Sequence, residues 1–283
     1  MSAHETIRIP AIKASSFEIE YRESFGLIEA ETPSKRIAEE REFFVVKEGG
    51  ISFLVKGTLY PLQEGDVIML APHEYFHILH HGETPFRYYR VLVSEDLIDA
   101  AFPALRECSI LRKARFCFPG AVRNKLFAIC ERLLSGENEA SLYHIMHFLH
   151  ILCRHRAAYT EEDAVIEAYE QCLPKELRKV MLYVRNHTRS PFSLSETAEA
   201  CGLGEVGIAK LFKTHLGVTA KEYADGIRAA EASHLLLCDH TVDEVAHLLG
   251  YSGSAALTES FKRLYSTTPL KYKKSGIVYH LDL

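Results

Sequence analysis

The spacing of apolar residues changes along the chain. Between residues 17 and 93 they fall in short alternating or continuous runs, among them FFVV (43–46), ISFLV (51–55), DVIML (66–70) and YYRVLV (88–93). Turn signals separate the runs: Gly49-Gly50, Gly57, Glu64-Gly65-Asp66 and His81-Gly82. Short apolar runs bounded in this way read as strands. A strand roughly every ten residues suits a small antiparallel barrel or sandwich, and a barrel is the expected architecture. After Ser94 the period lengthens. Residues 95–107 predict a short helix capped by Ser94. A second predicted helix, VRNKLFAICERLLSG, puts Val122, Leu126, Ile129, Leu133 and Leu134 on one face and ends at Gly136. A third, over about 139–158, carries Leu142, Ile145, Met146, Leu149, Leu152 and Cys153 on its stripe. Two such stripes need a covering surface, which the barrel, each other or a second subunit supplies.

The acidic segment 160–173 has no strong pattern, and Pro174 suits the first turn of a helix. The chain therefore divides into 1–160, a linker at 161–173, and 174–283, an α+β multidomain protein whose C-terminal part is all helical. That part contains a repeat. Phe212-Lys213, Thr219 and Tyr223 recur 49 positions later as Phe261-Lys262, Thr268 and Tyr272. Ala198 and Gly202 recur 48 positions later as Ala246 and Gly250, so one copy has a one-residue slip before its last helix. Each copy has two helices joined by a tight glycine-containing turn, over about 193–217 and 242–265. That is the helix-turn-helix pattern, and two in tandem point to double-stranded DNA.

Residues 174–275 resemble the DNA-binding domain of the AraC/XylS family of bacterial transcription regulators. The resemblance rests on Ala232, Leu235-Leu236, Val242, Val245-Ala246, Leu249-Gly250-Tyr251, Phe261-Lys262-Arg263, Thr268-Pro269 and Tyr272. The first copy matches less closely, through Ala198, Phe212-Lys213, Gly217, Thr219 and Tyr223. The strand region is similar to the cupin-type effector domain of that family, through Gly65-Asp66 to Pro72 followed by His77, and the helices at 120–158 would match its dimerisation helices. The resemblance implies a cytoplasmic, effector-responsive transcription activator that forms a homodimer and works with RNA polymerase.

The resemblance also implies which side chains face DNA. The base-facing candidates are Glu205, Val206, Ala209 and Lys210 in the first recognition helix and Ser254, Ala255, Thr258 and Glu259 in the second. Polar side chains pair with base edges, while Val206, Ala209 and Ala255 offer only apolar contact, for example to a thymine methyl. Lys213, Lys262, Arg263, Lys271, Lys273 and Lys274 are the phosphate candidates, which set register and affinity. Three positions depart from the family. Lys210 and Glu259 stand where arginine is common, and Glu259 either accepts from cytosine N4 or is repelled by phosphate. Gly207 lies within the first recognition helix, where glycine costs about 1 kcal/mol against alanine and delays or loosens the helix start.

Charge supports the division of labour. The net charge of −5 is wrong for a DNA binder, but residues 174–275 hold 14 Lys and Arg against 11 Asp and Glu, and residues 1–173 hold 19 against 26. Phosphate attraction then comes from local clusters such as the tail lysines. Seven cysteines at wide spacings, with no CxxC, suggest neither a zinc ribbon nor a disulfide framework, and buried thiols are expected. No apolar run approaches the roughly 20 residues of a membrane span, and the N-terminus has no signal-like apolar region.

The effector candidates are Arg41, Tyr75, His77, Tyr88 and Arg90, placed at a barrel mouth; arginine and aromatic groups together suit a sugar or small acid. His73, His77 and His81 share a strand face, but the first cupin motif, here Arg36 to Phe43, has no histidine, so no metal and no cofactor are assigned. A GxGxxG at Gly202, Gly204 and Gly207 follows a helix instead of a strand, which removes the dinucleotide reading. No GxSxG or P-loop marks an enzyme. The competing possibilities are a ligand- or metal-binding cupin protein with weakened DNA binding, and a metal-dependent cupin enzyme.

Overall fold

The computed structural model describes residues 17–24, 36–37, 40–72, 74–79, 86–101, 115–136, 138–154 and 168–274. Nine strands are described: β1 (Phe17–Ser24), β2 (Arg36–Ile37), β3 (Arg41–Glu48), β4 (Ile51–Val55), β5 (Thr58–Leu62), β6 (Val67–Leu70), β7 (Tyr75–Leu79), β8 (Phe86–Val93) and β9 (Arg115–Phe116). They form two separate antiparallel sheets, one ordered β1-β8-β3-β6-β9 and the other β2-β7-β4-β5. The expected closed barrel is therefore corrected to two facing sheets. The reason is local: among the described strands every consecutive link except β4–β5 and β8–β9 carries the chain from one sheet to the other, and β8 and β9 are not adjacent, so only β4 and β5 pair as sequence neighbours.

Strand periodicity sorts the side chains into layers. Phe44 and Val46 of β3, Phe53 of β4, Phe76 of β7 and Phe86 and Tyr88 of β8 share the core between the sheets. Their rings meet at centroid distances of 5.0 Å (Phe44–Phe53) and 5.6 Å (Phe44–Tyr88). Each fully buried phenylalanine contributes about 1.5–3 kcal/mol of transfer free energy. The alternate residues Phe43 and Val45 point the other way, into a second core beneath two helices. These helices are α2 (Gly120–Leu134) and α3 (Asn138–Arg154), which follow the short α1 (Glu95–Ala101). Phe148 of α3 meets Phe43 edge-on at 5.5 Å. Of the predicted stripes, Leu126, Ile129, Leu133, Ile145, Leu149 and Leu152 are buried, whereas Leu134 and Leu142 remain exposed.

The C-terminal part is helical: α4 (Lys175–Asn186), α5 (Leu194–Cys201), α6 (Glu205–Leu216), α7 (Ala220–Leu237), α8 (Val242–Leu248), α9 (Ser254–Tyr265) and α10 (Pro269–Lys274). Caps set the boundaries. Ser193 Oγ accepts from Glu196 N–H, and Thr219 with Glu222 and Thr241 with Glu244 form reciprocal capping boxes at α7 and α8. Gly202 and Gly217 end α5 and α6 in the left-handed conformation, as their positions in the sequence predict. The slip in the repeat is resolved as a longer turn. Three residues separate α5 from α6, and five separate α8 from α9.

The outer face of the β2-β7-β4-β5 sheet is covered by the helical part. Leu54, Leu59 and Leu79 share one core with Leu177, Val180, Phe212 and Leu216. At the tip of the β4–β5 hairpin, Lys56 (φ 50°) and Gly57 (φ 76°) make a two-residue loop with both residues left-handed, the geometry that matches hairpin twist. The Gly57 carbonyl accepts from Arg185 Nη2 at 2.9 Å and from the Tyr223 hydroxyl at 3.1 Å. A β-carbon on Gly57 would fall 2.8 Å from Ile227 Cδ1, so the tip also needs glycine for contact. Burial pushes the Tyr223 hydroxyl up to about 12, which keeps it a neutral donor.

The thiols divide. Cys130 and Cys201 are buried, and burial raises both; Cys153 and Cys117 are half-buried. Cys172 and Cys238 are exposed, against the expectation of buried thiols, because each lies at or just past the end of a helical segment. Cys108 lies outside the described residues.

Candidate nucleic-acid interface

The two helix-turn-helix units have separate cores. In the first, Ile208, Phe212 and Leu216 line the inner face of α6 and pack with Ala198 and Cys201 of α5. In the second, Leu257, Phe261, Leu264 and Tyr265 of α9 pack on Val245 and Ala246 of α8 and on Ala229 and Ala232 of α7. Phe261 stacks on Tyr265 at 4.4 Å and meets Tyr272 edge-on at 5.3 Å. Both repeated phenylalanines are thus core anchors, and α6 and α9 turn their other faces outward.

On α6 those faces carry Glu205, Val206, Ala209 and Lys210, all exposed, with Val206 at 84%. An isolated valine this exposed at the start of an otherwise polar face is poorly matched to water and well matched to an apolar base substituent. On α9, Ala255 and Glu259 are exposed, and Ser254 and Thr258 are half-buried. Gly207 does not delay α6, which begins at Glu205; its Cα faces open space.

The six phosphate candidates are not equivalent. Lys262, Lys271 and Lys274 are exposed. Lys213 folds back so that Nζ donates to the Gly217 carbonyl at 3.2 Å. Arg263 Nη2 pairs with Asp225 at 2.9 Å, an aspartate that also receives Lys221. Lys273 Nζ donates to the carbonyls of Asp239 and His240. Lys213 and Arg263 are exposed and Lys273 is half-buried, so each of the three would have to exchange an existing partner to meet a phosphate.

Charge at the helix starts is held by the caps. At Glu222, burial opposes ionisation, but hydrogen bonds from the Thr219 N–H and hydroxyl outweigh it, with His77 and Lys213 nearby, and the carboxyl sits below its ordinary range. At Glu244 the Thr241 backbone bond is the main cause of the same lowering.

The five effector candidates do not converge. Arg41 points to the α2–α3 side and is buried, with its guanidinium paired to Glu95 at 2.8 Å. Tyr88 and Arg90 lie between the sheets, where Arg90 chelates Glu42 at 2.8 and 2.9 Å and reaches Glu20 at 3.4 Å. The hydrogen bonds that Arg90 donates to Glu42 raise its already high guanidinium range further. His77 points out of the opposite sheet toward the helical part and is buried there, near Glu222. The Tyr75 backbone is in β7, but its side chain lies outside the described residues, as do His73, His80 and His81. Period-two alternation is the physical reason: residues 41 and 90 have opposite parity on paired strands, and 77 belongs to the other sheet.

Contacts that the spacing of the repeat does not signal also emerge. Arg185, Tyr223 and Gly57 join the two parts of the chain, and Arg228 joins the two helix-turn-helix units. The clue for the first group was the continuous apolar run ISFLV, which implies a strand covered on both faces.

The chain is similar to several known proteins. A helix-turn-helix domain model matches residues 197–275. The lactose operon transcription activator of Staphylococcus xylosus is 22% identical over 236 residues, covering 81% of this chain and 82% of that protein. LumQ of Photobacterium leiognathi, named a probable transcriptional regulator, is 27% identical over 92 residues, covering 32% of this chain and 37% of that protein. The chain thus spans little more than a third of the length of LumQ. Among solved structures, ToxT from Vibrio cholerae O395 aligns over 94% of this chain and 99% of its own, at 11% identity and a TM-score of 0.37.

Proposed function

We propose, on the premise that this chain belongs to the AraC family through its C-terminal helix-turn-helix domain, that it is an effector-responsive activator of transcription. It binds promoter DNA through α6 and α9. The observation that carries this is the pair of outward faces, Glu205/Val206/Ala209/Lys210 and Ser254/Ala255/Thr258/Glu259, each backed by its own apolar core. In tandem they would meet successive major grooves about one helical turn apart. The division at 161–173 separates this reader from an N-terminal cupin-type sensor.

We place the effector site at Tyr88 and Arg90, on the face of the first sheet that looks toward the second. Glu42 already occupies the Arg90 fork and Glu20 is near, so the local charge is net negative. A hydroxylated neutral ligand such as a sugar suits that balance better than an acid, and the S. xylosus relative is named for a lactose operon. The signal would pass through the β4–β5 hairpin tip to Arg185 and Tyr223, shifting how the reader is held. The exposed Leu134, Leu142 and Tyr143 on α2 and α3 support a homodimer through those helices. RNA polymerase is the partner that activation requires, and the cytoplasm is where promoter DNA is met. Among the described residues no helix is long and apolar enough to cross a membrane.

Selection of bound duplexes from a random pool, with and without candidate sugars, tests this. The enriched sequence should bind with a log–log salt slope on the order of −5 if six basic side chains meet phosphate at about −0.9 each. No enrichment and a slope near zero would refute it.

A further inference from the structure

We infer that Arg228 is a positioning residue for DNA reading: it pins the second helix-turn-helix unit to the first and so sets the separation at which α6 and α9 meet the duplex. This rests on the two-unit reading above. Arg228 lies on α7, the helix that links the units, and is only 7% exposed. Its Nε donates to the Thr188 carbonyl at 3.1 Å, and its Nη2 donates to the Leu249 carbonyl at 2.8 Å. Thr188 follows the end of α4, beside the first unit; Leu249 is the C-cap of α8, in the second. A single guanidinium therefore bonds a carbonyl of the turn that follows α4 and the C-cap carbonyl of α8. The Leu249 carbonyl lacks a helical partner, and the negative end of α8 favours a cation there.

The same fork stacks on the turn of the second unit. The guanidinium carbon sits 4.2 Å from the centre of the Tyr251 ring. The Tyr251 hydroxyl in turn donates to Ser260 Oγ of α9 at 3.4 Å. Beside it, Gly250 presses its Cα against the Arg189 carbonyl: a β-carbon there would overlap the oxygen and lie 3.1 Å from the carbonyl carbon. Gly250 thus seats the second turn on the 188–190 loop, where its counterpart Gly202 meets nothing within 4 Å.

A linking helix alone is one strut, and long helices bend. Arg228 and the Gly250 contact close a triangle of α4, α7 and α8, and a triangle does not flex when one side bends slightly. Lysine offers a compact ammonium that neither spans both carbonyls in one plane nor stacks as a plate.

The test uses the full chain and a duplex enriched from a random pool by the wild type. Binding is compared on that duplex and on one with a base pair inserted between the two recognised segments, for wild type, Arg228→Met and Arg228→Lys. One inserted pair rotates the second segment by roughly 35°. The wild type should lose about a hundredfold, the cost of one or two base contacts. In the variants the insertion penalty should shrink to less than about fivefold, while the salt slope and helix content stay at wild-type values. Arg228→Lys keeps the charge and most of the stem, and it carries the test if Arg228→Met does not fold. A folded variant with the wild-type insertion penalty overturns the pin and leaves DNA reading intact. A wild type that enriches no sequence overturns DNA reading itself, and this inference with it.

Discussion

Gly202 and Gly250 stand at the same place in the repeat, and alanine at each separates two costs that glycine conceals. Both are left-handed, at φ 64° and 65°. The backbone term is therefore common to the two substitutions, about 1–2 kcal/mol for a residue with a β-carbon. Their surroundings differ. Around Gly202 a β-carbon meets nothing within 4 Å, so Gly202→Ala costs the backbone term alone. At Gly250 the β-carbon overlaps Arg189 O, and the neighbour is backbone, not the end of a flexible side chain. Either the 188–190 loop or the α8–α9 turn must shift, straining the Arg228 bonds to Thr188 and Leu249 as well. Overpacking of this kind adds about 1–3 kcal/mol. Urea unfolding followed by far-ultraviolet circular dichroism reads the difference. With a slope of about 1–3 kcal/mol per molar, the midpoint for Gly250→Ala should fall about 1 M below that for Gly202→Ala. Equal midpoints would refute the contact and would mean that both glycines serve backbone conformation only.

Three further outcomes are expected. Glu259→Arg adds a bidentate donor on the exposed face of α9 and should raise affinity for, or change, the selected sequence, measured by repeating the selection; an unchanged sequence and affinity would mean that α9 does not enter a groove. Glu222 and Glu244 have lowered pKa values in the folded chain, so their stabilisation is complete above the unfolded value of about 4.3 and is lost as pH falls through the folded values. Thermal melts of the Thr219→Ala, Thr241→Ala double variant should therefore differ from wild type by about 1–4 kcal/mol at pH 7, and the gap should narrow below about pH 4. Gly57→Val places a branched side chain against Ile227 at a positive φ and should free the hairpin tip from Arg185 and Tyr223. A larger radius of gyration by small-angle scattering, with unchanged secondary structure, is the expected result, and an unchanged radius would show that the tip does not hold the two parts together.

What the sequence determined by itself was local. Helix caps at Ser193, Thr219 and Thr241, the stops at Gly202 and Gly217, and the inner stripes Ile208/Phe212/Leu216 and Leu257/Phe261/Leu264 are set by interactions within a few residues, so the tandem units were readable from spacing. Which residues of α6 are exposed followed, because a helix with one buried face has only one other. Tertiary structure decided what depends on which distant surface a face meets. Strand alternation placed Arg41, Arg90 and His77 on different sides of the two sheets, yet nothing local to those strands says which side faces α2 and α3, which the other sheet and which the helical part. The same holds for Arg228 and Gly250. One is an arginine among alanines on a helix and the other a glycine in a turn, and only the packing of α4, α7 and α8 brings a guanidinium to the turn after α4 and the end of α8, and a backbone oxygen to a missing β-carbon. Short-range hydrogen bonding and periodicity are written in neighbouring residues, whereas contacts across 20 to 170 positions depend on shapes that exist only once the layers have assembled.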